Sequence, residues 1–318
     1  MKMVQMVIPV FNEEENVVEI SMAVRDIFST LPYEFEIIFV DDGSADNTLE
    51  NIKILAHNDD RIKYISFSKN FGHQAALKAG IDFSDTGDCI ISMDGDMQHP
   101  AELIPKMLQR WEAGYDIVYS VRKKDPSIPR IKKILSDGFY KFINRISDTK
   151  IIAGAADFRL LSQQVATEVR ALKEYDLFLR GLVHWTGFKQ IAIEYVPGRR
   201  HHGYSKYNLK KMMALAINGI TSFSDKPLYL AAYLGCTFSI LSLLYLPYAI
   251  GSYFFGYTIS GWTSIIVTIA FFGGLQLMIL GIVGIYIGKI FMQSKNRPVY
   301  ITRESNVLCT RKVAETSY

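Results

Sequence analysis

Between Lys226 and Lys289 lie 62 consecutive residues without a single Asp, Glu, Lys, Arg or His. Roughly 20 apolar residues cross a bilayer as one helix, so this stretch is long enough for two spans. The break falls at 253–262, where Gly256, Ser260 and Gly261 accompany interfacial aromatics. This predicts spans near 228–252 and 263–288, with two buried core helices as the alternative. Lys226 flanks the first span; Lys289, Lys295 and Arg297 follow the second; the loop between them is uncharged. Basic flanks stay cytoplasmic, so the expectation is a multi-pass protein of the cytoplasmic (inner) membrane with both termini and the large amino-terminal region inside. Residues 1–10 are too short for a signal peptide and run into Asn12 and Glu13. Cys89, Cys236 and Cys309 are scattered, with neither metal-ligand spacing nor a disulfide framework.

The first 125 residues read differently. Short apolar runs at 4–10, 35–40, 62–66, 89–93 and 117–121 alternate with helical patterns at 13–31, from about 48, at 74–81 and at 101–113. Strands alternating with helices predict an α/β fold with a doubly wound, mainly parallel sheet. Ser44 or Asp46 is placed to cap the second helix.

Two basic amphipathic helices are expected next. In 128–147, Ile131, Ile134, Leu135, Phe139, Phe142, Ile143 and Ile146 recur at helical spacing among Arg130, Lys132, Lys133, Lys141 and Arg145. In 207–223 an apolar face follows Lys206, Lys210 and Lys211 and leads into the first span. Such helices lie on anionic membrane lipid, or else pack on the sheet as ordinary surface helices. The organisation predicted is a nucleotide-sugar-binding part (1–125), an acceptor part with the two juxtamembrane helices (126–226), a two-helix transmembrane domain (227–290) and a cytoplasmic tail (291–318).

The chemistry concentrates at strand ends. Parallel strands bring their carboxyl ends together, so four polar loops should converge: Pro9-Val10-Phe11-Asn12-Glu13, Val40-Asp41-Asp42-Gly43-Ser44, Lys69-Asn70-Phe71-Gly72 and Asp94-Gly95-Asp96-Met97-Gln98. Asp94 and Asp96, one residue apart after a buried strand, can reach one hard divalent cation, which in turn neutralises a diphosphate. No Gly-rich phosphate loop is present to do that work instead.

These loops resemble the family-2 glycosyltransferases. Within that family the chain is similar to polyprenyl-phosphate sugar transferases of the dolichol-phosphate-mannose synthase type. With its apolar tail it looks most like bactoprenol-phosphate glucosyltransferases. The resemblance implies a GT-A-like nucleotide-sugar domain in which Pro9, Phe11, Glu13, Val40 and Asp42 line the nucleoside pocket. Asp94, Gly95, Asp96 and Gln98 would hold Mg²⁺ or Mn²⁺ and the diphosphate. It makes Asp157, in Gly154-Ala155-Ala156-Asp157-Phe158-Arg159-Leu160, the catalytic base. The residues themselves read as a turn before an apolar helix, where Asp157 could equally be an N-cap. A phosphate monoester has a second pKa of about 6, so Asp157 would orient the acceptor as much as deprotonate it. Arg122, Arg130, Arg200, Ser205 and Lys206 are implied to meet phosphates, Arg130 that of the lipid. The implied reaction is inverting transfer of a hexose, glucose from UDP-glucose first, to undecaprenyl phosphate. N-acetylglucosamine, mannose and aminoarabinose remain open.

Other classes fit less well. A processive polysaccharide synthase uses Gln-x-x-Arg-Trp, whose spacing Gln109-Arg110-Trp111 lacks. A flippase needs ionisable groups inside the membrane, and this stretch has none. A non-catalytic nucleotide-sugar sensor or scaffold would not need Asp94, Asp96 and Asp157 together. Expected partners are a nucleotide sugar, polyprenyl phosphate and membrane lipid, with no nucleic acid. Gly273, Gly274, Gly281, Gly284 and Gly288 permit close helix packing and predict a homo-oligomer.

Overall fold

The computed structural model describes residues 1–123, 154–174, 177–196, 224–255 and 261–307. Both amphipathic helices expected at 128–147 and 207–223 lie outside these residues, as do Arg130, Arg200, Ser205 and Lys206.

Strand β1 (Lys2–Val10) is the spine of an eight-stranded sheet. From Val4 on, every residue is buried, which is why its sequence is an apolar run rather than an alternation. Around it the chain alternates as expected: α1 (Asn16–Phe28), β2 (Tyr33–Asp41), α2 (Thr48–Asn58), β3 (Ile62–Phe67), α3 (His73–Phe83), β4 (Cys89–Ser92), a 3₁₀ turn into α4 (Ile104–Glu112), and β5 (Ile117–Arg122). Then come β6 (Ala155–Ser162), α5 (Gln163–Ala171), α6 (Leu179–Trp185), β7 (Gln190–Tyr195), α7 (Lys226–Phe254), α8 (Trp262–Ser294) and β8 (Thr302–Ser305). Val4, Met6, Ile8 and Val10 pack on one face with Val17, Ile20 and Val24 of α1, Ile52 of α2 and Met107 and Leu108 of α4. Helix α3 lies on the opposite face against Val7. The sheet is therefore covered on both sides, as a doubly wound fold requires. Neither Ser44 nor Asp46 is the cap: the N-cap position of α2 is Asn47, which makes no side-chain cap bond, while Asp46 just before it accepts from the Thr48 N–H (3.0 Å).

The sheet order is β7-β5-β6-β4-β1-β2-β3-β8. Strands β1 to β4 are parallel to one another, and β5 is parallel to β7. However, β6 runs antiparallel between β4 and β5, and β8 runs antiparallel along β3. Six of the eight strands therefore run the same way, so the sheet is mainly parallel as expected, and the two antiparallel strands, which the sequence did not predict, make it mixed. The cause is 155–162, read as a turn and helix start but folded as a strand. Ala156, Phe158 and Leu160 point into the apolar core, while Asp157 and Arg159 alternate with them.

Two compact units emerge, one holding the sheet and its helices together with 298–307 among the described residues, the other α7 and α8. In α7, 29 residues long, Lys226 is the sole charged residue; α8 has 33 residues. Among the described residues one helical segment, Phe271–Ser294, is long and apolar enough to cross a membrane.

After α8 the chain adds β8 to the sheet edge. Tyr300 stacks on Phe67 (centroids 5.1 Å apart), and its hydroxyl donates to Asp82 Oδ2 (2.9 Å). The Tyr64 N–H donates to Asn306 Oδ1 (2.6 Å), and Lys53 pairs with Glu304 (2.9 Å). These bonds cover an edge strand that would otherwise expose its backbone. Tyr300→Ala removes a ring stack and a bond to a carboxylate. It is expected to cost about 2 kcal/mol and to lower the thermal midpoint of the full-length protein measurably.

Candidate active site

The four expected loops do converge. Between the first two, the Asn12 N–H donates to Ser44 Oγ (3.0 Å), the Ala45 N–H to Asn12 Oδ1 (2.9 Å) and the Glu13 N–H to Thr48 Oγ1 (2.8 Å). Between the second and third, the buried Asp42 carboxylate accepts from the Phe71 N–H (2.7 Å) and the Gly72 N–H (3.0 Å). Burial pushes the Asp42 pKa up, and these two N–H groups oppose it. Gly43 lies at φ +73°, and a Cβ there would sit 2.6 Å from the Lys69 carbonyl carbon. The two backbones can touch only because glycine stands there. Pro9 and Val40 are buried strand residues, neighbours in the β1–β2 register. Phe11 is 45% exposed at the mouth, and Glu13 accepts from the Asn16 side chain.

The fourth loop is held tightly. A Cβ on Gly95 would lie 2.8 Å from Val10 Cγ1 and 3.0 Å from the Pro9 carbonyl oxygen, so the loop is pressed against the first. Met97 takes a left-handed conformation (φ +58°), costly for a side chain with a Cβ and typical of functional turns. Asp96 Oδ1 accepts from the Gln98 N–H (3.1 Å), and Gln98 Oε1 accepts from Arg122 Nη2 (3.1 Å). The loop expected to hold a metal and the arginine expected to hold a phosphate thus meet.

Asp157 lies on β6, not in a turn, and is 1% exposed. It is not an N-cap either; Ser162 caps α5, its hydroxyl accepting from the Val165 N–H. Three cationic groups surround the Asp157 carboxylate. Arg180 binds it in a fork (Nε to Oδ1 2.9 Å, Nη2 to Oδ2 2.7 Å), buried Arg159 reaches Oδ1 at 3.0 Å, and His73 Nε2 lies 3.4 Å from Oδ2. Burial alone would raise its pKa, but this ring of donors holds the carboxyl well below the usual carboxylate range. Gln74 ties the cluster to the start of α6, donating to Asp157 Oδ2 (3.3 Å) and accepting from the Leu179 N–H (3.1 Å).

His73 bridges the two halves of the site, with Nε2 also 3.3 Å from Asp94 Oδ1. Burial would depress the imidazole, yet its contacts with Asp157 and Asp94 outweigh that and hold its pKa up at about 10. On Asp94, Oδ2 takes a 2.9 Å bond with His99, whereas the buried Oδ1 has only the longer ion-pair contact with His73. Ligand atoms of His73, Asp94 and Asp157 lie within 4.8 Å of one another. A buried carboxylate oxygen with no close hydrogen bond suits a cation.

His73, His99, Arg159, Arg180, Gln74 and Tyr195 were not singled out from the sequence. His73 follows the quoted Lys69-Asn70-Phe71-Gly72 by one residue and His99 follows Gln98, so adjacency was a usable signal for both. Arg180 and Tyr195 had none, because they reach the site through α6 and β7, elements the sequence reading did not place.

Sequence comparison agrees with this architecture. The chain belongs to glycosyl transferase family 2, whose profile matches residues 6–170. It is therefore a glycosyltransferase. YkcC of Bacillus subtilis, an uncharacterized glycosyltransferase, is 42% identical over 94% of this chain and 93% of its own. The SfII prophage-derived bactoprenol glucosyl transferase of Shigella flexneri is 40% identical over 95% of this chain and 98% of its own. Among solved structures, the mannosyl-3-phosphoglycerate synthase of Rubrobacter xylanophilus covers 68% of this chain and 71% of its own at 13% identity and a TM-score of 0.48. That overlay is too loose to assign residue roles.

Proposed function

We propose that this glycosyltransferase moves a hexose, glucose from UDP-glucose as first candidate, onto polyprenyl phosphate at the cytoplasmic face of a membrane. The observation that carries this reading is the bond between Arg122 and Gln98, which joins the Asp94–Gln98 loop to a cation and would let two phosphates lie side by side. The name of the Shigella flexneri relative, similar over nearly the whole chain, supports the acceptor and the sugar.

In this reading Pro9, Phe11, Glu13, Val40 and Asp42 take the nucleoside. Asp94, Asp96 and Gln98 would hold Mg²⁺ or Mn²⁺, and Gly95 leaves room for the diphosphate. When bound, the cation offsets the charge that develops on the departing nucleoside diphosphate. Arg122, with Arg130, Arg200, Ser205 and Lys206, holds the acceptor phosphate. Asp157 sets Arg180 and His73 beside it. Both α7 and α8 cross the membrane, and the glycines of α8, beside which a Cβ would meet open space, allow copies of the chain to pack together.

The test is purified full-length protein in detergent with undecaprenyl phosphate, Mg²⁺ or Mn²⁺ and a panel of nucleotide sugars, read by mass of the lipid product. One donor yielding a polyprenyl phosphohexose, lost with chelator, is the expected result and names the sugar. Nucleotide-sugar binding without product from any donor would favour a sensor.

A further inference from the structure

Four side chains run in an unbroken hydrogen-bonded line across the site. Arg122 Nε donates to the Tyr195 hydroxyl (3.2 Å), Tyr195 meets His99 Nδ1 (3.1 Å), and His99 Nε2 meets Asp94 Oδ2 (2.9 Å). The donors at its two ends can be assigned by elimination. Arginine only donates and the carboxylate only accepts. The tyrosine oxygen therefore accepts from Arg122 and the imidazole Nε2–H donates to Asp94, with the Tyr195 hydroxyl and His99 Nδ1 joined between them. Burial pushes the Tyr195 pKa up, so its hydroxyl keeps its proton.

The line is built on rigid elements. Tyr195 and Arg122 are register partners at the ends of β7 and β5, and the Lys123 N–H holds the Tyr195 carbonyl (2.8 Å). The His99 side chain is fully buried, with Phe158 (centroids 5.2 Å) on one side and Tyr195 (5.6 Å) on the other. Neither ring has an outlet to solvent that would explain its polar atoms. Each polar atom is used to connect Arg122 to Asp94.

We propose that Tyr195 and His99 are positioning residues that hold the Arg122 guanidinium and the Asp94 carboxylate at a fixed separation, making the two phosphate subsites one mechanical unit. The inference rests on the proposed reading, in which Arg122 faces the acceptor phosphate and Asp94 the donor side. In-line transfer between two phosphate-bearing substrates depends on their spacing, so a link that fixes it favours the reactive geometry.

The experiment compares full-length wild type with Tyr195→Phe, His99→Leu and the double variant. Each single change keeps the packing volume and cuts the line. Expected is a rise of about tenfold in the KM for undecaprenyl phosphate in each single variant, with a smaller rise in the donor KM. The double variant should be no worse than the poorer single, since a line cut once is already broken. Unchanged acceptor KM values, additive losses, or an equal loss in donor KM would overturn the proposal. Should the wild type transfer from no donor, the proposed function fails, and Mn²⁺ titration of the same four proteins decides the link. Weakening that is shared and non-additive supports it; one common Kd overturns it.

Discussion

Asp96→Asn is expected to lower metal-dependent transfer at least about 100-fold while leaving the thermal midpoint in place. The amide keeps the oxygen that accepts from the Gln98 N–H, so the turn at Met97 retains its internal bond. What disappears is one negative charge at the point where a divalent cation would lie against a diphosphate. Asp94→Asn is a poorer test of the same idea. Asp94 also pairs with His73 and bonds His99, so its loss spreads into the buried cluster. Transfer measured against Mn²⁺ concentration separates the cases. A rate restored by excess Mn²⁺ marks weakened affinity; a rate that stays low marks lost charge stabilisation. A near-normal rate at low Mn²⁺ would remove Asp96 from the metal site and return attention to His73, Asp94 and Asp157.

The nucleotide-facing half of this fold was legible because its strands are apolar on both faces and end in polar loops. From 4–10 to 117–121 each expected strand is present, and the loops they carry are knit together as parallel topology requires. Reading failed at 155–162, where small residues suggested a turn. There the polar alternates face one another inside the protein, so Asp157 and Arg159 satisfy each other rather than solvent. An alternation with its charged side buried has the pattern of a strand but not the expected wet face. The tail failed for another reason. Nothing local marks 302–305 as a strand; its partner is an edge more than 230 residues earlier, and the contact of Tyr300 with Phe67 exists only after folding. Arg122 was found because it ends a strand; Tyr195, beside it in register, was missed with the strand that carries it.

Asp157→Asn carries the second large expectation, and it acts on folding and turnover together. Arg159 is 5% exposed, and its guanidinium would face a neutral amide. Breaking a buried pair on one side costs about 3–5 kcal/mol, so the thermal midpoint should fall clearly. Turnover should drop about 100-fold or more, and donor affinity much less, because the Asp42 carboxylate is held by the Phe71 and Gly72 N–H groups and not by Asp157. The carboxylate is a weak proton acceptor, held ionised under Arg159, Arg180 and His73. The acceptor phosphate is itself largely ionised near neutral pH, its second pKa being about 6. The cause of the loss is then the release of Arg180, which grips Asp157 through two parallel bonds. Arg180→Ala separates the two causes without unpairing Arg159. If Asp157 works through Arg180, this variant loses comparable turnover, and the double variant Asp157→Asn with Arg180→Ala loses little more than either alone. Full turnover in Arg180→Ala would instead assign the catalytic role to the carboxylate itself, and an equal fall in donor affinity and turnover in Asp157→Asn would leave Asp157 as framework.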